Sequence, residues 1–127
     1  MKLLKLLLPF AVVTGLAVSS APAFAWDLLG IRTVSRGVDR DTIRVVGRDK
    51  HRQFRMCVRF AGVQVRDIDI RFVNGARQDV PVRRFFAPGT CTRVVDLRGS
   101  RRNIRRIDIT YRRINSNRLP VVAFFAR

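Results

Sequence analysis

At 127 residues, with 26 Lys plus Arg against nine acidic groups and a formal charge of +17, the chain is basic and long enough for one domain with a modest core. A single histidine excludes a multi-histidine metal centre and any His-paired catalytic triad that does not use His51. The acids are all Asp and the cations nearly all Arg, a ratio a GC-rich genome can produce; the surplus of cations is a separate property that favours anionic partners.

Residues 1–25 read as a signal peptide. Met1-Lys2-Leu3-Leu4-Lys5 is a cationic start, residues 6–18 are apolar, and Ala23-Phe24-Ala25 is the small-x-small pattern that a signal peptidase cuts. The apolar run is short for a membrane span. Cleavage after Ala25 leaves residues 26–127 as one all-β domain and, with Lys2 and Lys5 gone, lowers the charge from +17 to +15. The expectation is an exported bacterial protein, periplasmic or secreted, that does not span the membrane when mature.

From Trp26 onward the pattern is β. Residues 31–35 and 42–46 are the first expected strands, ended by Arg36-Gly37 and Gly47. Arg32, Arg36, Arg40, Arg44, Arg48 and Arg52 recur every fourth residue, but Gly37, Gly47 and the β-branched run at Thr42 argue against a helix. His51 falls in the polar loop 48–52 and is expected to be solvated. Phe54, Met56, Val58 and Phe60 alternate with Arg55, Cys57 and Arg59. Ile68, Ile70 and Phe72 alternate with Asp67, Asp69 and Arg71 before the Asn74-Gly75 turn. Residues 79–84 carry Pro81 and suit a sheet edge. Residues 93–97 form a strand that Gly99-Ser100 breaks, after which Ile107, Ile109 and Tyr111 alternate with Arg106, Asp108, Thr110 and Arg112. Residues 119–126 are apolar on both faces, as in a central, covered strand.

Seven to eight short, mainly antiparallel strands at about ten-residue spacing predict a compact sandwich or a small Greek-key barrel. The expected core is Phe54, Met56, Val58, Phe60, Ile68, Ile70, Phe72, Val80, Val82, Ile107, Ile109, Tyr111, Val122 and Phe124. In an oxidising compartment Cys57 and Cys91 most simply form one disulfide, with two buried free thiols as the alternative. One internal echo, Arg-x-Ile-Asp-Ile-x-aromatic, occurs at residues 66–72 and 105–111. It reads as two core strands obeying one rule, with outward Asp set among outward Arg.

Three stretches resemble a family of short exported bacterial proteins of unknown function. They are Trp26-Asp27-Leu28-Leu29-Gly30-Ile31-Arg32-Thr33-Val34, Val38-Asp39-Arg40-Asp41-Thr42-Ile43-Arg44-Val45, and Arg93-Val94-Val95-Asp96-Leu97-Arg98-Gly99 with Ile104-Arg105-Arg106-Ile107. The resemblance implies a single exported β domain and carries over no active-site residues.

Little chemistry is legible. Paired Asp residues could serve a hydrolase, but surrounding Arg should hold their pKa values down. Asp39, Asp41, Asp67 and Asp69 could touch calcium, which disfavours so cationic a setting. No metal, cofactor or catalytic residue is expected. The binding candidates are the arginine doublets Arg83-Arg84, Arg101-Arg102, Arg105-Arg106 and Arg112-Arg113, whose forks suit phosphate and carboxylate if they gather at one rim. Exposed aromatics for base stacking are limited to Trp26 and Tyr111, which argues against a specific nucleic-acid partner. Short, Arg-rich strands argue against a lipid-facing barrel. The function expected is non-catalytic binding of an anionic envelope polymer or lipid headgroups; the alternatives are docking on an acidic partner protein and an Asp-dependent hydrolase.

Overall fold

Period-two alternation of apolar and polar side chains resolves into nine strands among the residues that the computed structural model describes, 25–112, 114 and 117–127. The strands are β1 (Asp27–Thr33), β2 (Arg40–Arg44), β3 (Gln53–Arg59), β4 (Val63–Phe72) and β5 (Arg77–Val80), then β6 (Arg84–Phe86), β7 (Val95–Asp96), β8 (Ile104–Tyr111) and β9 (Val121–Ala126). Apart from Ala25, the expected signal peptide lies outside the described residues. Two antiparallel sheets form a β-sandwich: the first runs β1-β9-β3-β7, the second β2-β8-β4-β5, with β6 also on β4. Among the described residues no helix is long and apolar enough to cross a membrane.

The inward faces supply one core. Thirteen of the fourteen expected core residues are buried, joined by others such as Val65, Phe86, Ile104 and Ala126. Phe60 is the correction. The β3 alternation stops at Arg59, Phe60 takes a positive φ of 72°, and its ring is 55% exposed. Gly30 is required where the sheets meet, because a Cβ there would lie 2.5 Å from the Cγ2 of Ile43. Gln78 is buried in β5 and ties the sheets together. Its Nε2 donates to the Asp96 carbonyl (3.0 Å) and its Oε1 accepts from the Arg98 amide (2.8 Å).

Pro81 ends β5, and β6 resumes the same edge, so residues 77–86 line β4 in two pieces, as an edge strand carrying a proline should. The expected first two strands start earlier, at Asp27 and Arg40, because pairing with β9 and β8 recruits residues that propensity alone leaves out. The 93–97 strand shrinks to Val95–Asp96, which pairs with β3, so residues 93–112 pass from one sheet to the other. Strand β9 is central, between β1 and β3. Its outward residues Val121, Ala123 and Phe125 are half-buried, so its second apolar face is a partly open surface and not a covered one.

A charged lattice on the outer face of the second sheet

The two echo strands are antiparallel neighbours. Ile68 faces Ile109, Asp69 faces Asp108 and Ile70 faces Ile107. At each end of this match the register shifts by one residue, leaving Arg66 on β4 and Arg105 on β8 without an opposite residue. The leading Arg of both echoes is therefore the bulged position, and both side chains are exposed.

The register also writes rows across the outward face. Thr42, Asp108, Asp69 and Asp79 form one row over β2, β8, β4 and β5, and Arg44, Arg106, Arg71 and Arg77 form the next. At strand spacing, the four arginines span about 14 Å. Like charges side by side destabilise a sheet, and the two rows offset one another. Arg106 Nε donates to Asp108 Oδ2 at 3.1 Å, Arg77 Nη2 reaches Asp69 at 3.4 Å, and the Thr42 hydroxyl donates to Asp108 at 2.7 Å. Between β2, β8 and β4 lies an open hollow of about 610 Å³, lined by Arg32, Arg40, Arg44, Arg106, Asp67 and Asp108 among others.

Asp67 completes an acidic cluster with Asp69 and Asp79, one carboxylate oxygen of each lying within 4.8 Å of the others. Burial, a hydrogen bond with Asp79 and the nearby Asp69 and Asp79 charges push its carboxyl up to about 6. Burial also raises the Asp41 carboxyl against the opposing pull of Arg32, and this group accepts the Tyr111 hydroxyl. Both shifts correct the expectation that arginine would lower these pKa values: burial outweighs Arg32 at Asp41, and burial with two neighbouring carboxylates raises Asp67. Three clustered carboxylates are oxygen donors suited to a hard cation, but calcium wants six to eight oxygens and Arg77 competes for Asp69.

The doublet arginines take separate places. Arg106 stands in the row described above, whereas Arg83 and Arg112 share an open hollow of about 420 Å³ with the bulged Arg66. Arg84 lies over the Phe86 ring at 4.8 Å, and Arg102 over Phe72 at 3.9 Å with a bond to the Arg98 carbonyl. Arg101 and Arg105 are exposed, and Arg113 lies outside the described residues. The strand-borne arginine row is what sequence reasoning missed; only the pairing register, which the echo hints at, could have found it.

His51 is a second correction. It is 6% exposed, bridges by backbone to Arg102, and binds Asp27 Oδ2 through Nε2 at 2.9 Å. Tyr111 is buried too, and Arg55 (4.5 Å) and Arg127 (4.4 Å) both lie over the Trp26 ring, so neither is a free stacking platform. Cys57 and Cys91 form the disulfide, opposite one another on the outer face of the first sheet.

Among curated proteins there is no match. The fold is similar to a solved structure described as "Structural and functional characterization of Pseudomonas aeruginosa AlgX", with 12% identity and a TM-score of 0.49. The likeness covers 79% of this chain and 26% of that one, so this chain spans about a quarter of that protein's length. Residues 4–125 match the family model of a domain of unknown function, DUF2541, and the chain belongs to that family.

Proposed function

We propose that the protein is exported, that residues 1–25 are removed as a signal peptide, and that the domain of residues 26–127 binds an anionic envelope component without catalysis. The observation that carries this reading is the row Arg44–Arg106–Arg71–Arg77. Four planar forks at strand spacing can engage successive phosphates or carboxylates of a polymer, which one isolated guanidinium cannot. The adjacent Asp row limits the affinity and holds Arg106 and Arg77 in place through Asp108 and Asp69. Binding is a contest between a polymer and the chain's own carboxylates, and it should weaken steeply with salt.

Heparin, inorganic polyphosphate and lipopolysaccharide are suitable probes. Replacing Arg44, Arg71, Arg77 and Arg106 by Ser should remove more affinity than replacing the exposed Arg36, Arg48, Arg93 and Arg101. Equal losses would mean that only net charge matters, and absence of binding at low salt would reject the reading. One observation favours a second reading, an Asp-dependent hydrolase: Asp67, with its carboxyl near 6 beside Asp69 and Asp79, has the protonation suited to a general acid. Hydrolysis of a glycoside or ester probe that Asp67→Asn abolishes would replace the binding reading.

A further inference from the structure

The outer face of the first sheet has the opposite character. Its register lines up Ile31, Ala123, Cys57 and Cys91 across four segments, with Leu28 opposite Phe125 in the next row. Leu28 is 53% exposed and Ile31 56%. Beside them an open hollow of about 760 Å³ has Phe60, Pro88, Phe125 and the disulfide as its apolar surface. Arg55, Arg59 and Arg118 also line it, and no carboxylate does among the described residues. At its end the β3–β4 turn carries one exposed ring, and a second, from β6 of the second sheet, reaches over the same turn. Phe60 is turned outward by its positive φ, and the 56% exposed Phe85 lies across Gly62, where a Cβ would meet the ring at 2.2 Å. Residue 62 must be glycine for that ring to sit there.

We infer that this face is a lipid-contact surface that seats the protein on an anionic leaflet, with Ile31 and Phe60 entering the acyl boundary and Arg55, Arg59 and Arg118 meeting headgroup phosphates. The charge pattern selects this occupant. The hollow's apolar floor and cationic rim fit a surface that is oily inside and anionic at its boundary, and exposed Asp96 on the same sheet lies at the opposite end of β3, bonded to Gln53. A second copy meeting the same patch would bring two cationic rims together, which is repulsive. The site is distinct from the arginine row, which lies on the other sheet, and rests on the exported reading only for where such a leaflet is met.

The full chain is expressed, and variants are compared at one N-terminus verified by mass, so that any contribution of the residues before Trp26 is common to all. Vesicles of equal phosphatidylglycerol and phosphatidylcholine should sediment the protein and alter the fluorescence of Trp26, its only tryptophan, whereas phosphatidylcholine alone should do neither. Ile31→Thr with Phe60→Asn changes two exposed side chains and keeps a residue tolerant of positive φ at position 60. This pair should lower partitioning by about tenfold, with the circular dichroism spectrum unchanged. Arg44→Ser with Arg71→Ser and Arg77→Ser should lower it by less than about threefold. Unchanged partitioning of the first variant, an equal loss in the second, or no sedimentation by anionic vesicles overturns the inference. So does dimerisation, or capture of a poly-aspartate peptide, that depends on Ile31 and Phe60 while vesicles do not bind. Loss of heparin binding in the arginine-row variant bears on the other face alone.

Discussion

Replacing Cys57 and Cys91 together by Ala should destabilise the domain through the unfolded chain. The bridge closes a separation of 34 residues. In the chain-entropy model that constraint is worth about 4 kcal/mol, a large share of the roughly 5–15 kcal/mol by which such domains are stable. The native side should lose little. Cys91 is exposed and Cys57 half-buried, so no closed cavity opens. The backbone already holds the two segments together without the sulfurs: Val58 N–H donates to the Thr90 carbonyl (2.9 Å), Thr92 N–H to the Met56 carbonyl (2.7 Å), and Met56 N–H to the Thr92 hydroxyl (3.1 Å). Urea unfolding followed by far-ultraviolet circular dichroism should therefore show a loss of about 3–4 kcal/mol with a larger m, since the released chain exposes more surface when unfolded. A loss below about 1 kcal/mol with m unchanged would refute the argument, because it would mean that the unfolded chain gains no freedom when the loop is opened.

Ile109→Ala removes a fully buried side chain opposite Ile68 and should cost about 2–5 kcal/mol in the same assay; less than about 1 kcal/mol would mean that the strand is slipped by one residue. Asp67→Asn tests the raised carboxyl. The folded pKa of about 6 lies above the ordinary 3.8, so the folded state holds this proton more tightly. The stability it contributes is then present at low pH and lost as pH rises from about 4 to about 6. The variant should melt higher than the parent at pH 7.5 and nearly level with it at pH 4, and an equal gap at both would reject the shift. His51→Ala, which removes a buried ring and its bond to Asp27, should cost about 1–3 kcal/mol by urea titration; no change would place the ring in solvent, where its loop position suggested it belonged.

The strands that carry the core were legible because one force dominates there. From Ile68 to Phe72 in β4 and from Ile107 to Tyr111 in β8 every second residue is Ile or aromatic, and burial of that face decides the conformation almost alone. Phe60 was misread because alternation continues past the point where the backbone turns, and a positive φ leaves no mark on an apolar residue. His51 was misread because its burial comes with a bridge to Arg102, 51 residues further along the chain. The arginine doublets do not mark the strand-borne row, for a geometric reason. Neighbours in a strand point to opposite sides unless a bulge intervenes, so a doublet of arginines is a poor guide to a cationic surface. Arg105-Arg106 puts both side chains toward solvent only because Arg105 occupies a bulge. The arginines that do align, Arg44, Arg106, Arg71 and Arg77, come from four strands, and their alignment is a property of register.

The position of β9 sets the order in which the molecule can be completed. It is the last strand in the chain, and it separates β1 from β3, so neither has its main partner until residues 121–126 are available. The second sheet has no such dependence, since β2, β4, β5, β6 and β8 all precede residue 112. A growing chain can therefore assemble one layer and must wait for the other, with the inner face of the first layer uncovered throughout. Such distant pairing also slows folding once the chain is whole. Removal of residues 121–127 should release β1 and β3 together, so that a nick near the C-terminus opens half the sandwich at once.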